Sequence, residues 1–161
     1  MQTDTNSYSW FNVADDVKEL LILAAKTWEN TEESTKYMQQ ALAKTADNTD
    51  ILVAAYRYFY YKNNYVFALT TAEKIIAKIR EEENLPDNWQ ELQPILINRH
   101  EESQIRLFLT AYAASGLVLA KLGRIEQAKE ISTRIKSIDE KNDFGAGILL
   151  DILTRPPEEN D

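Results

Sequence analysis

The sequence predicts an all-α fold, and two observations support this prediction. Apolar residues recur at intervals of three and four along most of the 161 residues, which is the spacing of one face of an α-helix. The chain has four glycines, all in its last third, so the first two thirds lack the frequent turn residues of a β protein. A chain of this length buries enough surface to fold without disulfides or metal ions.

Seven helices are predicted along the chain, together with one insert that proline interrupts. Asn30 is typical of a helix start, because its side chain can cap while Glu33 reaches back towards it. Gly123 is typical of a left-handed helix end. The predicted helices cover about residues 12–28, 31–45, 49–61, 65–82, 101–122, 124–137 and 144–153.

The insert at 83–101 does not follow the regular pattern. Pro86 and Asp87 favour a helix start in which Asp87 is the capping residue. Pro94 then removes a backbone donor, so a kinked helix and two short helices are both consistent with the sequence.

Charge and composition exclude several classes of protein. The net charge of −8 disfavours a nucleic-acid partner, whose phosphates require a positive surface. The absence of cysteine excludes disulfides and thiolate chemistry and fits a cytoplasmic protein. No signal peptide is predicted at the N-terminus. The longest uncharged run, between Arg106 and Lys121, is shorter than a membrane span and fits a buried helix, so no membrane partner is expected.

The sequence predicts no catalytic, cofactor or metal site. His100 is the sole histidine and has charged neighbours, which is typical of a solvated helix boundary. A zinc site would require more His or Cys ligands than the chain contains. The acidic pairs and triplets consist of consecutive residues, which point in different directions on a helix and do not form a convergent carboxylate pair. We therefore expect a protein that is not an enzyme.

The most unusual stretch is the aromatic run from Tyr56 to Tyr61. Helical phase assigns Tyr56 and Phe59 to the core. It leaves Arg57, Tyr60 and Tyr61 on other faces, and tyrosine and arginine are the residue types that dominate binding hot spots. The alternatives are that these tyrosines fill gaps between helices, or that they stack on bases, which the negative charge disfavours.

The segment from about Leu109 to Asn142 resembles a tetratricopeptide repeat. That motif has small residues where its two helices cross, matched here by Gly116 and Ala128, and an early aromatic, matched by Tyr112. The segment departs from the motif at Ser132 and Glu140, where the family has a bulky aromatic and a proline. Two earlier hairpins match less well. They are offset from each other by 34 residues, which is the period of this repeat.

This resemblance implies a right-handed superhelix of about three stacked hairpins, at about 12–46, 49–82 and 102–139. The insert 83–101 lies between the last two hairpins, a capping helix covers 144–153, and an acidic tail covers 156–161. All of these parts except the tail are expected to form a single domain over residues 1–155. Stacked hairpins of this kind enclose a concave groove, because no hairpin can bury its apolar faces alone.

The resemblance also implies a function. In this family the first helix of each pair lines the groove, and the matching candidates for partner binding are Lys26, Arg57, Tyr60, Tyr61, Leu117 and Lys121. The chain is thus expected to be a non-catalytic scaffold that binds a protein or peptide as an adaptor, assembly factor or chaperone. Its size is similar to that of small bacterial tetratricopeptide proteins, including secretion chaperones and proteins encoded with nitrogen-fixation genes.

Two other functions remain open from the sequence. The first is a structural or regulatory homo-oligomer, such as a homodimer, that uses Trp10, Phe11 or the insert around Trp89 as its interface. The second is an enzyme of unknown type, which would require His100 to meet carboxylates in a pocket.

Overall fold

The computed structural model describes residues 14–45 and 48–138, and within these ranges it contains seven α-helices and no β-strand. The prediction of an all-α fold is confirmed. The predicted capping helix 144–153, the tail 156–161 and the residues Trp10 and Phe11 lie outside the described ranges. The helices are α1 Asp15–Lys26, α2 Thr31–Lys44, α3 Thr49–Tyr61, α4 Tyr65–Glu82, α5 Trp89–Asn98, α6 Ser103–Lys121 and α7 Ile125–Lys136.

Asparagine caps the start of three helices. The side-chain oxygens of Asn30, Asn48 and Asn88 each accept a hydrogen bond of 3.2 Å from the backbone N–H three residues later. The prediction that Asp87 caps the insert helix is wrong. Its carboxylate lies 3.3 Å from the Arg80 guanidinium of the preceding helix, and Asn88 caps α5 instead.

Three helices end with a residue in the left-handed conformation. These residues are Asn63 (φ 62°), Asn84 (φ 55°) and Gly123 (φ 84°). After each of them the next backbone N–H bonds a carbonyl oxygen five residues back, at 2.8 to 2.9 Å, which satisfies acceptors that the helix end leaves free. The predicted left-handed cap at Gly123 is confirmed.

The insert forms one helix, α5, with Pro94 in its interior, so the alternative of two short helices is wrong. The far end of α5 is fixed by Arg99, whose guanidinium bonds the Glu83 carboxylate and lies 2.7 Å from that of Glu102. These two ion pairs join the residues before α5 to those after it.

The chain divides into two compact units, Met1–Asn64 and Tyr65–Asp161. The boundary falls in the turn of the predicted hairpin 49–82, so α3 belongs to the first unit and α4 to the second. The single domain over 1–155 and the superhelical stacking of three hairpins stay predictions.

In the first unit, α1 and α2 pack as a hairpin and α3 packs against α2. A chain of buried hydroxyls joins the three helices. The Tyr58 hydroxyl donates to Ser34 Oγ at 2.8 Å, and Ser34 Oγ donates to the Ala24 carbonyl oxygen at 2.7 Å. Thr35 Oγ1 lies 3.0 Å from the same tyrosine hydroxyl. Each hydroxyl in this chain of hydroxyls therefore has a hydrogen-bond partner.

The assignment of Tyr56 to the core needs correction. Phe59 is buried as predicted, but Tyr56 is half-buried and Tyr58 is the tyrosine that enters the core. Tyr58 can be buried because two hydroxyls of α2 lie within hydrogen-bonding distance of its own hydroxyl. Helical phase alone does not reveal these partners.

In the second unit, α6 packs against both α4 and α7. Gly116 is buried where α6 meets α7, and a Cβ atom added there would lie 3.0 Å from Ile131 Cγ2. Ala128, the second small residue expected at this crossing, is also buried. The two small residues allow the helices to approach closely. Ser132, one turn further along α7, is buried, and its hydroxyl has no partner among the described residues.

Within the described ranges, α6 is the one helix long and apolar enough to cross a membrane. It is also the helix that packs against two others in the second unit, and the core helix of a globular unit has the same composition.

The crossing at Gly116 yields a test of packing. We expect Gly116→Leu to lower the free energy of unfolding by about 1–2 kcal/mol, because overpacking against Ile131 outweighs the gain in helix propensity. Urea denaturation followed by circular dichroism measures this loss. In a double mutant with Ile131→Ala, the loss should be smaller than the sum of the two single losses. Additive losses would contradict the described contact.

The hydroxyl chain yields a second test. We expect Tyr58→Phe to destabilise the protein by about 1 kcal/mol, since it removes the hydroxyl that bonds Ser34 and keeps the ring. The matched control is Tyr61→Phe, which removes a hydroxyl from an exposed ring and should leave stability unchanged within about 0.5 kcal/mol. Equal losses in the two variants would show that the buried chain does not contribute.

Candidate partner-binding surfaces

The first candidate is an array of side chains on α3, which we call the tyrosine surface: Tyr56, Arg57, Tyr60 and Tyr61. The rings of Tyr56 and Tyr60 stack, with centroids 6.0 Å apart and planes 20° apart. Tyr61 meets Tyr60 edge-on, with centroids 5.6 Å apart. The Tyr61 side chain is 69% exposed, and Arg57 is also exposed. The surface therefore presents an ordered aromatic array beside one cation.

Burial raises the pKa of the Tyr56 hydroxyl well above its ordinary value, and Tyr60 and Tyr61 add to this effect. Tyr56 is neutral over the physiological range, as a tyrosine of ordinary pKa also is. It contributes ring area and a hydroxyl to the surface without contributing a negative charge.

The C-terminal end of α3 is held in place by Lys62. Its ammonium lies 3.9 Å from the centroid of the Trp28 ring, bonds the Trp28 carbonyl oxygen, and lies 3.3 Å from Thr31 Oγ1. The Trp28 ring meets Tyr58 edge-on, with centroids 5.4 Å apart. These contacts fix the end of α3 to the turn between α1 and α2, so the tyrosine surface stands on a supported helix.

The six predicted groove residues are exposed or half-buried. Lys26, at the end of α1, belongs to the first unit, as do the three candidates on α3. Leu117 is half-buried and Lys121 is exposed, and both lie on α6 in the second unit. That all six line one groove stays a prediction.

The second candidate is an open cleft of about 840 Å³ in the second unit, formed by α4, α6, α7 and the turn after α4. We call it the acidic cleft. Its volume lies within the range of ligand-binding clefts, about 300–1,000 Å³. Among the residues that the structure describes, four charged ones line it, and three of these are acidic: Glu73, Arg80, Glu81 and Asp87. The other lining residues are apolar or uncharged: Ile76, Ala77, Asn84, Leu85, Tyr112, Ser115, Leu119 and Ile131.

A cluster around Trp89 fixes the insert helix beside this cleft. The rings of Trp89 and Tyr112 stack with centroids 6.5 Å apart, and the Arg134 guanidinium carbon lies 5.1 Å from the Trp89 ring centroid. Arg134 also donates to the Tyr112 hydroxyl at 3.1 Å and pairs with Glu130 at the same distance. Trp89, a predicted residue of a self-interface, is thus engaged in contacts within its own unit.

The acidic cleft was not predicted from the sequence, because the predicted groove uses the face of α6 that carries Leu117 and Lys121. The cleft uses the face that carries Tyr112, Ser115 and Leu119. One signal in the sequence could have indicated it. Ser115 lies between Tyr112 and Leu119 on one face of the predicted helix. Its small side chain leaves space that a large side chain would fill.

His100 lies on the surface. Its Nδ1 is 2.9 Å from the Ile97 carbonyl oxygen, and its Nε2 is 3.6 Å from the carboxylate of the adjacent Glu101. It does not line the acidic cleft. Within the part of the chain that the structure describes, no three His, Asp or Glu side chains are grouped so as to hold a metal ion.

Comparison with known proteins gives one relative. The chain is 32% identical over 143 residues to a protein of Azotobacter chroococcum mcd 1 described as an uncharacterized 19.8 kDa protein in the nifW 5′ region. The matched residues cover 88% of this chain and 80% of the relative. No family model matches the chain, and no solved structure matches it significantly. The identity and its coverage establish that the chain belongs to the same family as this Azotobacter protein.

Proposed function

We propose that this protein is a non-catalytic scaffold that binds a protein or peptide partner, as an adaptor, assembly factor or chaperone. The observation that carries this proposal is the tyrosine surface. Tyr61 leaves most of a large ring in solvent, next to Arg57 and against a stacked pair of tyrosines. Rings held by neighbouring rings lose little conformational freedom on binding, and tyrosine and arginine are enriched at binding hot spots.

The proposed architecture is a solenoid similar to tetratricopeptide proteins. The close approach of α6 and α7 at Gly116, opposite Ala128, supports this proposal, because repeats of this kind need small residues where two helices cross. In such a solenoid the first helices of successive pairs would face the partner, with α3 among them.

The description of the Azotobacter relative supports a first choice of partner, because it places that protein in the nifW 5′ region. The product of nifW is therefore the first protein to look for among the captured partners.

Site-specific photocrosslinking tests the proposal. A benzophenone amino acid replaces Tyr61 in the full chain, which is then irradiated in extract of the cells that produce it. We expect one dominant crosslinked protein, identified by mass spectrometry. Arg57→Glu in the same chain should lower its yield about 30-fold, as loss of a hot-spot arginine does.

The control replaces Ile97 with the same amino acid, because Ile97 is an exposed apolar residue that belongs to the second unit and is not part of the tyrosine surface. It should capture none of the protein captured at position 61. Equal capture at both positions, or a yield that Arg57→Glu leaves unchanged, would contradict the proposal.

A further inference from the structure

We propose that the acidic cleft is a second binding site, and that it takes a polypeptide segment carrying both basic and apolar side chains. The site is separate from the tyrosine surface, since all of its residues belong to the second unit.

The floor of the cleft is mainly apolar, and the hydroxyls of Ser115 and Tyr112 that line it both have hydrogen-bond partners. Ser115 Oγ donates to the Tyr112 carbonyl oxygen at 2.6 Å, so its hydroxyl is already used. The Tyr112 hydroxyl accepts from Arg134. What faces the cleft is therefore the small side chain of Ser115 together with Leu119 and Ile131. Such a floor favours apolar side chains of a ligand over water.

The wall on α4 is acidic. Glu73 and Glu81 are exposed, and neither carboxylate has a partner among the residues that the structure describes. They are eight residues apart, which places them about 12 Å apart along the helix axis. Ala77 lies between them on the same face, and its small side chain leaves the wall accessible.

Arg80 is the one cation among the described residues that line the cleft, and it does not neutralise this wall. The Arg80 guanidinium lies 3.3 Å from the Asp87 carboxylate, and its central carbon is 5.4 Å from the centroid of the Phe108 ring. Because Asp87 balances Arg80, the cleft keeps the net charge of Glu73 and Glu81. A ligand with lysine or arginine side chains would complement these two carboxylates.

Charge and shape together favour a polypeptide over other occupants. The combination of an apolar floor and two separated carboxylates matches a segment in which basic and apolar side chains alternate. A polyamine would satisfy the carboxylates but not the floor. A second copy of this chain, with its net charge of −8, would be repelled at this wall.

A binding assay with synthetic peptides tests the inference. The probe is a fluorescently labelled peptide of about eight alternating lysines and leucines, long enough to pass both carboxylates when extended. Two matched peptides replace lysine with glutamate, or leucine with serine. We expect the lysine–leucine peptide to bind the full chain most tightly, the lysine–serine peptide more weakly, and the glutamate–leucine peptide not at all.

Variants of the chain then locate the binding. Reversing both carboxylates, Glu73→Lys with Glu81→Lys, should weaken binding about tenfold. The matched control makes the same change of charge at exposed turn residues, Glu29→Lys with Glu101→Lys, and should weaken it less than about twofold. Ala77→Trp fills the cleft without changing charge and should also weaken binding, whereas Ala43→Trp, at an exposed alanine of α2, should not.

Several outcomes would overturn the inference. If the two charge reversals weakened peptide binding equally, the binding would be non-specific attraction to an acidic protein. Equal binding of spermidine and the peptide would assign the site to a small polycation, and dimerisation that Ala77→Trp abolishes would assign it to a second copy. Arg57→Glu with Tyr61→Ala should leave peptide affinity unchanged, so this inference and the proposed function can fail separately. Circular dichroism of each variant confirms that it is folded.

Discussion

The close contact between α6 and α7 at Gly116 is the constraint on which the second unit depends. A Cβ atom at this position would lie 3.0 Å from Ile131 Cγ2, which is too close. Glycine therefore allows the two helices to approach to their present distance. This contact places Ile131 beside the face of α6 that carries Ser115 and Leu119, and α4 also packs against α6. The three helices leave an open cleft between them.

The first unit depends on hydrogen bonds in an otherwise apolar interior. The hydroxyl chain from Tyr58 through Ser34 to the Ala24 carbonyl connects three helices, and Lys62 fixes the end of α3 to the Trp28 turn. Both sets of contacts lie on the side of α3 that faces its own unit. The tyrosine surface can therefore present exposed rings on a helix that is fixed by other residues of the same run.

The sequence predicted the helices well because their signals are local. Asparagine before an apolar-periodic segment and a left-handed residue after it act within a few positions, and Asn30 and Gly123 carried these signals. Predictions that depended on tertiary partners were less accurate. Tyr58 replaced Tyr56 in the core because hydroxyls from α2 lie beside it, and the acidic cleft was missed because its walls come from three helices. Neither feature can be read from the period of a single helix.

The proposed function is to present fixed surfaces to a partner. The decisive experiment is hydrogen–deuterium exchange of the full chain, alone and with the partner captured at position 61. We expect slower exchange in the partner complex along α3, where Arg57 and Tyr61 lie, and little change around His100. Protection confined to residues around His100, or no protection along α3, would contradict it.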